Sequence, residues 1–85
     1  MKSFEAAIVS YECGDNCYLA VRDAQGSIQT GLCTARACDL WNQAASMPSS
    51  FVGKKVTIQV GKGQRVDGAG EFVDEIDAFE EIRFK

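Results

Sequence analysis

Four cysteines are the residues of this chain whose type and spacing could do chemistry. Three residues separate Cys13 from Cys17, and four residues separate Cys33 from Cys38. Four thiolates in such pairs can hold a structural zinc ion, and four sulfurs can also form two disulfides. Reduced thiols can instead pack as small apolar side chains. The sequence leaves these three alternatives open, and zinc is the only cofactor that it suggests.

A turn between two predicted strands places the inner two cysteines opposite each other. Residues 23–26 have the composition of a type I turn that ends in a glycine bulge, and this turn fixes the strand register. Counting back along both strands sets Cys17 opposite Cys33, where directly opposed side chains lie close together. If the sulfurs form disulfides, we expect the pairs Cys17–Cys33 and Cys13–Cys38. All four sulfurs should then lie at one end of the fold.

The remaining composition argues against catalysis. The chain contains no histidine, which removes the usual general base, the histidine-activated nucleophiles and every imidazole metal site. The acidic stretch 67–77 lacks the carboxylates that an EF-hand loop requires, and the glycines of 61–70 do not end in a phosphate-binding motif. We therefore expect a protein that is not an enzyme.

A basic strip on and just after the fourth predicted strand is the one candidate nucleic-acid site, formed by Lys54, Lys55, Lys62 and Arg65. Some small barrels use such strips to follow the phosphates of a single strand. Most of the acidic residues, however, lie within 67–81, on a limb that should run beside this strip and neutralise it. Because the net charge is also −3, we expect weak nucleic-acid binding at best.

The elements that must position these residues are strands joined by short turns. Alternating apolar residues predict strands over 3–12, 17–22, 27–33 and 56–60, and a last strand over 78–84. The glycines at 61–63 indicate a bend, and residues 67–70 indicate a hairpin tip followed by a short return segment at 71–73.

One helix is expected between the third and fourth strands. Its apolar residues recur at helical spacing and should share one buried face, namely Ala37, Leu40, Trp41 and Ala44. The helix should begin within 34–38 and end before Pro48, because proline disfavours helix at the residue before it. Trp41 is expected to be the main anchor of this helix.

The element order β-β-β-α-β-β, with a short helix after the third strand and the closing segment 77–84, resembles the small oligonucleotide/oligosaccharide-binding (OB) barrels of uncharacterised bacterial proteins. The resemblance covers the whole chain. It implies a mainly β, five-stranded OB-like barrel that forms a single domain over 1–85. It also implies, as one alternative function, binding of single-stranded nucleic acid or an oligosaccharide on the face of strands two and three.

Length and hydropathy complete the expectation. A chain of 85 residues builds a thin core that a crosslink would help to stabilise. No apolar run reaches the ~18–20 residues of a membrane span, and no signal peptide is visible, so we expect a cytoplasmic protein. The expected function is a small non-enzymatic interaction module whose acidic surface meets a basic protein partner. A metal- or redox-responsive module built on the cysteines is a further alternative.

Overall fold

The computed structural model describes residues 2–85, in which five strands close into a barrel. The strands are β1 (Lys2–Cys13), β2 (Cys17–Asp23), β3 (Ile28–Cys33), β4 (Lys55–Val66) and β5 (Phe72–Phe84). Around the barrel they follow the order β1-β2-β3-β5-β4, and only β3 and β5 run parallel. Between β3 and β4 lie a 3-10 turn (Arg36–Cys38), helix α1 (Asp39–Ala44) and a second 3-10 turn (Ser49–Phe51). The expected small barrel with one short helix after the third strand is confirmed.

The barrel interior is filled by apolar side chains that alternate along the strands. The largest fully buried ones are Ile8, Leu19, Val21, Val56, Ile58 and Phe79. Successive side chains of a strand point to opposite faces, so every second residue enters this core. Gly31 makes room for the Phe79 ring, since a Cβ atom at Gly31 would lie 2.8 Å from a ring carbon. Removal of this apolar surface from water is the main driving force for folding.

The expected register between β2 and β3 is confirmed. Leu19 pairs with Gly31, and the turn places Asp23 opposite Ser27 through a backbone hydrogen bond of 2.9 Å. The Asp23 Oδ1 atom accepts hydrogen bonds from the backbone N–H groups of Gln25 and Ser27, both at 2.9 Å. Gly26 follows with a φ of 85°, a left-handed conformation that favours glycine.

The same turn recurs between β4 and β5. The Asp67 Oδ1 atom accepts hydrogen bonds from the backbone N–H groups of Ala69 and Glu71, at 2.9 and 3.0 Å. Gly70 has a φ of 81° and stands where Gly26 stands in the first turn. The two hairpins therefore share one turn type, with the same aspartate-to-backbone hydrogen bonds and a glycine at the same position.

The expected interruptions of β4 and β5 are wrong. Residues 61–63 continue β4 instead of bending it, and β5 is one unbroken strand. Gly63 serves close packing, since a Cβ atom there would lie 2.9 Å from Leu32 Cδ1, whereas a Cβ atom on Gly61 would meet only the movable carboxylate of exposed Glu80. A glycine in a strand can mark such close approach as well as a turn.

The helical segment buries a different face from the expected one. Trp41 is buried as expected, but Leu40 is 75% exposed. The segment starts with a 3-10 turn, which has three residues per turn, so its buried positions are three apart: Ala35, Cys38 and Trp41. The helix ends at Ala44, before Pro48 as expected, and its C-cap residue Ala45 has a φ of 54°.

Helix α1 is held to the barrel by aromatic and polar contacts. The Trp41 ring lies edge-on to the rings of Tyr11 and Phe51, with centroids 6.0 and 5.0 Å away. Tyr11 Oη donates to Asn42 Oδ1 at 2.7 Å, and Asn42 Nδ2 donates to the Cys33 carbonyl at 2.9 Å. These contacts join α1 to both β1 and β3. Among the described residues, no helix is long and apolar enough to cross a membrane.

Candidate functional site

The four cysteines form two disulfides, and each disulfide closes a short local segment. Cys13 bonds to Cys17, and Cys33 bonds to Cys38. The expected pairs, Cys17–Cys33 and Cys13–Cys38, are therefore wrong. Cys13 and Cys17 are partners in the β1–β2 ladder, with Cα atoms 3.9 Å apart. They close the loop of residues 14–16.

The path of β3 explains why Cys17 does not bond to Cys33. The β2–β3 ladder ends where Tyr18 pairs with Leu32, one position before the two cysteines would meet. From there β3 pairs with β5 instead, and Cys33 lies beside Phe79. Cys38 follows on the 3-10 turn, with its Cα atom 5.7 Å from that of Cys33. Cys33 and Cys38 are buried, whereas Cys13 and Cys17 are half-buried.

Disulfide formation decides between the three sulfur chemistries that the sequence left open. A zinc site requires thiolates, and each of these sulfurs is joined to another sulfur. Within residues 2–85, no group of three or more cysteine or carboxylate side chains lies together in an arrangement that could hold a metal ion. No free thiol is found in that part of the chain either.

The basic strip is split along β4. Lys54 and Lys55 lie at the start of the strand, and Lys62 lies seven residues beyond Lys55, which corresponds to ~23 Å of extended chain. Lys62 Nζ donates to Asp77 Oδ1 at 2.8 Å. This hydrogen bond lowers the pKa of Asp77 and raises the pKa of Lys62.

Arg65, the last member of the strip, is also paired with the acidic limb. Its guanidinium makes two hydrogen bonds to the Asp74 carboxylate, one of them from Nε to Oδ1 at 2.6 Å. This contact lowers the pKa of Asp74 and, together with Tyr18, raises the pKa of Arg65. The acidic limb therefore runs beside the far end of the basic strip and neutralises it there, as expected.

A cleft of about 400 Å³ lies between the β1–β2 loop and the end of the β4–β5 hairpin. We call it the loop cleft. Its lining includes three carboxylates, Glu12, Asp15 and Asp67, together with Tyr18 and Val73.

Two hydrogen bonds hold the sides of the loop cleft together. Asn16 Nδ2 donates to the Val66 carbonyl at 2.7 Å, and the Val66 N–H donates to Asn16 Oδ1 at 3.1 Å. The Cys13–Cys17 disulfide closes the base of the loop that carries Asn16. One crosslinked loop is thus fixed to the end of the long hairpin.

The charge of the loop cleft is negative and uncompensated. Arg65 is the one cation among its described lining residues, and Asp74 holds it. Within residues 2–85, Glu12, Asp15 and Asp67 form no ion pair.

Apolar surface adjoins these carboxylates. Phe72 and Val73 follow the hairpin turn and are 60% and 53% exposed. The arrangement combines an apolar surface with negative charge at one place.

Sequence reasoning did not find this cleft. The sequence indicates the hairpin tip at 67–70, but nothing in it indicates that this tip lies beside the loop of residues 14–16. The Asn16–Val66 contact that joins them links residues 50 apart in the chain. This chain was compared with models of protein families, with curated proteins and with solved structures. None of the three comparisons found a match.

Proposed function

We propose that this protein is a non-enzymatic binding module whose loop cleft holds a basic, partly apolar segment of a protein partner. One observation carries the proposal: Val73, which is 53% exposed, lines the cleft together with carboxylates that form no ion pair in residues 2–85. The lack of histidine in the chain supports a role without catalysis.

A basic segment suits both properties of this surface. A lysine or arginine side chain of the partner pairs its charged end with Glu12 or Asp15, while its aliphatic stem packs against an apolar neighbour. An apolar residue of the segment covers Val73, which removes exposed hydrophobic surface from water. The negative charge of the cleft speeds encounter with a cationic partner and repels polyanions.

We also propose that the barrel is of the OB type. Its strand order, the parallel β3–β5 pair and the helix between β3 and β4 support this assignment. OB barrels bind through the face of strands two and three and through the loops that follow strands one and four. The loop cleft lies between those same two loops.

The two disulfides support an oxidising compartment for this protein. Disulfides persist in such compartments, whereas cytosolic thiols are kept reduced. We therefore propose a location outside the cytosol, in place of the cytoplasmic one expected from the sequence.

The proposal is tested by fluorescence anisotropy with a labelled peptide of about ten alternating lysines and leucines at ionic strength ~0.15 M. The controls are an alternating glutamate–leucine peptide, a deoxythymidine oligonucleotide of similar length and a neutral hexasaccharide. We expect the basic peptide to bind tightest and to weaken at ~0.5 M salt, because exposed charge pairs are screened. Equal or tighter binding of the oligonucleotide or the saccharide would assign the cleft to the alternative OB ligands instead.

Matched variants locate the binding surface. Val73→Ser should weaken binding of the basic peptide, whereas Leu40→Ser, which removes a more exposed apolar side chain from α1, should leave that binding unchanged. Glu12→Gln with Asp15→Asn should weaken binding of the basic peptide and reduce the salt dependence of that binding. An equal loss with Leu40→Ser would mean that the peptide binds exposed apolar residues without using the loop cleft.

A further inference from the structure

A second and larger cleft, of about 710 Å³, lies between the start of β1, the β2–β3 turn and the middle of the β4–β5 ladder. We call it the Phe4–Phe79 cleft. The rings of Phe4 and Phe79 meet edge-on with centroids 6.1 Å apart, and Val60 lies beside them. The cleft shares no lining residue with the loop cleft. Its volume lies in the ~300–1,000 Å³ range of small-molecule sites, which combine apolar linings with a few polar groups.

One wall of this cleft carries a single uncompensated negative charge. Asp23 accepts two backbone hydrogen bonds in its turn and a third from Gln29 Nε2 at 3.1 Å. All three donors are neutral, and no cation within residues 2–85 pairs with this carboxylate. The Gln29 hydrogen bond, followed by that of Ser27, lowers the pKa of Asp23, so the group is ionised at neutral pH.

The same cleft is also lined by two amines, Lys2 and Lys62. Lys62 pairs with Asp77, and the charge of Lys2 also acts on the same carboxylate. Glu75 also acts on Lys62, whereas Lys2 forms no ion pair within residues 2–85, so the unpaired positive charge of the cleft is that of Lys2. Glu5, the remaining acid of the lining, is held by Lys85. The cleft thus combines apolar surface with one unpaired negative charge and one unpaired positive charge.

We propose that the Phe4–Phe79 cleft binds a short peptide with free termini and apolar side chains, of about dipeptide size. Its ammonium group lies against Asp23, its carboxylate lies against Lys2, and its side chains cover Phe4. A ligand with only one charge can pair with only one of the two charges of the cleft. A zwitterion with an apolar body can pair with both charges of the cleft and cover its apolar surface at the same time.

Three probes separate the two charges. They are the dipeptide leucyl-phenylalanine, its N-acetyl form, which lacks the ammonium group, and its C-terminal amide, which lacks the carboxylate. Binding is followed by backbone amide chemical shifts in two-dimensional nuclear magnetic resonance, so that each dissociation constant is assigned to a cleft. We expect shifts around Gln29, Gly61 and Phe79, and a dissociation constant about three- to five-fold higher for each blocked form, as for loss of one exposed ion pair.

The turn that recurs in this chain provides a matched control. Asp23→Asn keeps an oxygen that can accept the two backbone hydrogen bonds but removes the charge, and Asp67→Asn makes the same change in the same turn outside this cleft. Asp23→Asn should weaken binding of the free dipeptide about three- to five-fold and leave binding of the N-acetyl form unchanged. Asp67→Asn should change the binding of neither probe. Lys2→Gln should weaken binding of the free dipeptide and leave binding of its C-terminal amide unchanged.

The proposal is overturned if the three probes bind equally, if Asp67→Asn acts like Asp23→Asn, or if the shifts map to the loop cleft. It is also overturned if no probe binds at millimolar concentration. Equal binding of the three probes, or no binding, leaves the basic-peptide proposal unaffected, because the two clefts have no residue in common.

Discussion

The pairing of the cysteines makes a prediction that one double variant can decide. Cys17→Ser with Cys33→Ser removes one sulfur from each disulfide of the structure. Cys13 and Cys38 are then left without their partners, so titration of the unfolded variant should count two thiols. With the pairing first expected from the sequence, the same variant would keep an intact Cys13–Cys38 bond and show no thiol.

The structure also gives the size of the effect on stability. The closed loops contain 5 and 6 residues when both cysteines are counted, from the sequence separations of 4 and 5. In the chain-entropy relation, loops this short correspond to about 2 kcal/mol each, whereas the long-range pairs would correspond to about 3–3.5 kcal/mol each. Cys13→Ala with Cys17→Ala should therefore cost about 2 kcal/mol of unfolding free energy.

Removal of the buried pair should cost more. Cys33→Ala with Cys38→Ala loses the same ~2 kcal/mol of stabilisation by the crosslink and also leaves unfilled space in the core. We therefore expect the unfolding free energy to fall by about 3–4 kcal/mol in total. Both double variants are measured by urea unfolding, followed through the fluorescence of Trp41. A cost for the half-buried pair that equals or exceeds that of the buried pair would refute this reasoning, as would a count of no thiols in the first variant.

Three further predictions concern the helix and the charged hairpin. Trp41→Ala should lower the unfolding free energy by about 3–5 kcal/mol, as for other emptied aromatic sites, while Leu40→Ala should change it by less than ~0.5 kcal/mol; circular dichroism during urea unfolding checks both. Ala45→Gly should raise the thermal midpoint, because glycine relieves a left-handed conformation that costs alanine ~1–2 kcal/mol. The pKa of Asp74 is lowered in the folded state, so its stabilisation is complete above the unfolded pKa of about 3.9 and is lost as the pH falls through the lower folded value. Asp74→Asn should therefore show a shallower loss of stability in acid than the parent chain, and an unchanged slope would contradict this.

Local patterns predicted the parts of the fold that local physics controls. The type I turn at 23–26 set the β2–β3 register correctly, because the turn geometry and the strand period of two leave few alternatives. The apolar alternation of β4 likewise marked Val56 and Ile58 as core residues. Both features depend only on residues close together in the chain.

The errors came from contacts that form only when the barrel closes. Whether Cys33 faces Cys17 depends on where β3 leaves β2 for β5, and that point is set by packing between distant strands. Gly61 and Gly63 resemble turn residues, although both continue β4 and Gly63 makes room for Leu32. Both clefts are likewise products of closure.

The short span of the two disulfides has a consequence for how the chain oxidises. Four cysteines allow three complete pairings, and an unfolded chain samples each in proportion to how often its ends meet. Loop-closure entropy favours the 5-residue loop over the 17-residue Cys17–Cys33 loop by roughly six-fold, and the 6-residue loop over the 26-residue Cys13–Cys38 loop by roughly nine-fold. The native bonds are thus the ones that random encounter in an unfolded chain forms most often. Oxidation of this chain can therefore precede folding without scrambling it, and a disulfide isomerase should do little to speed its maturation.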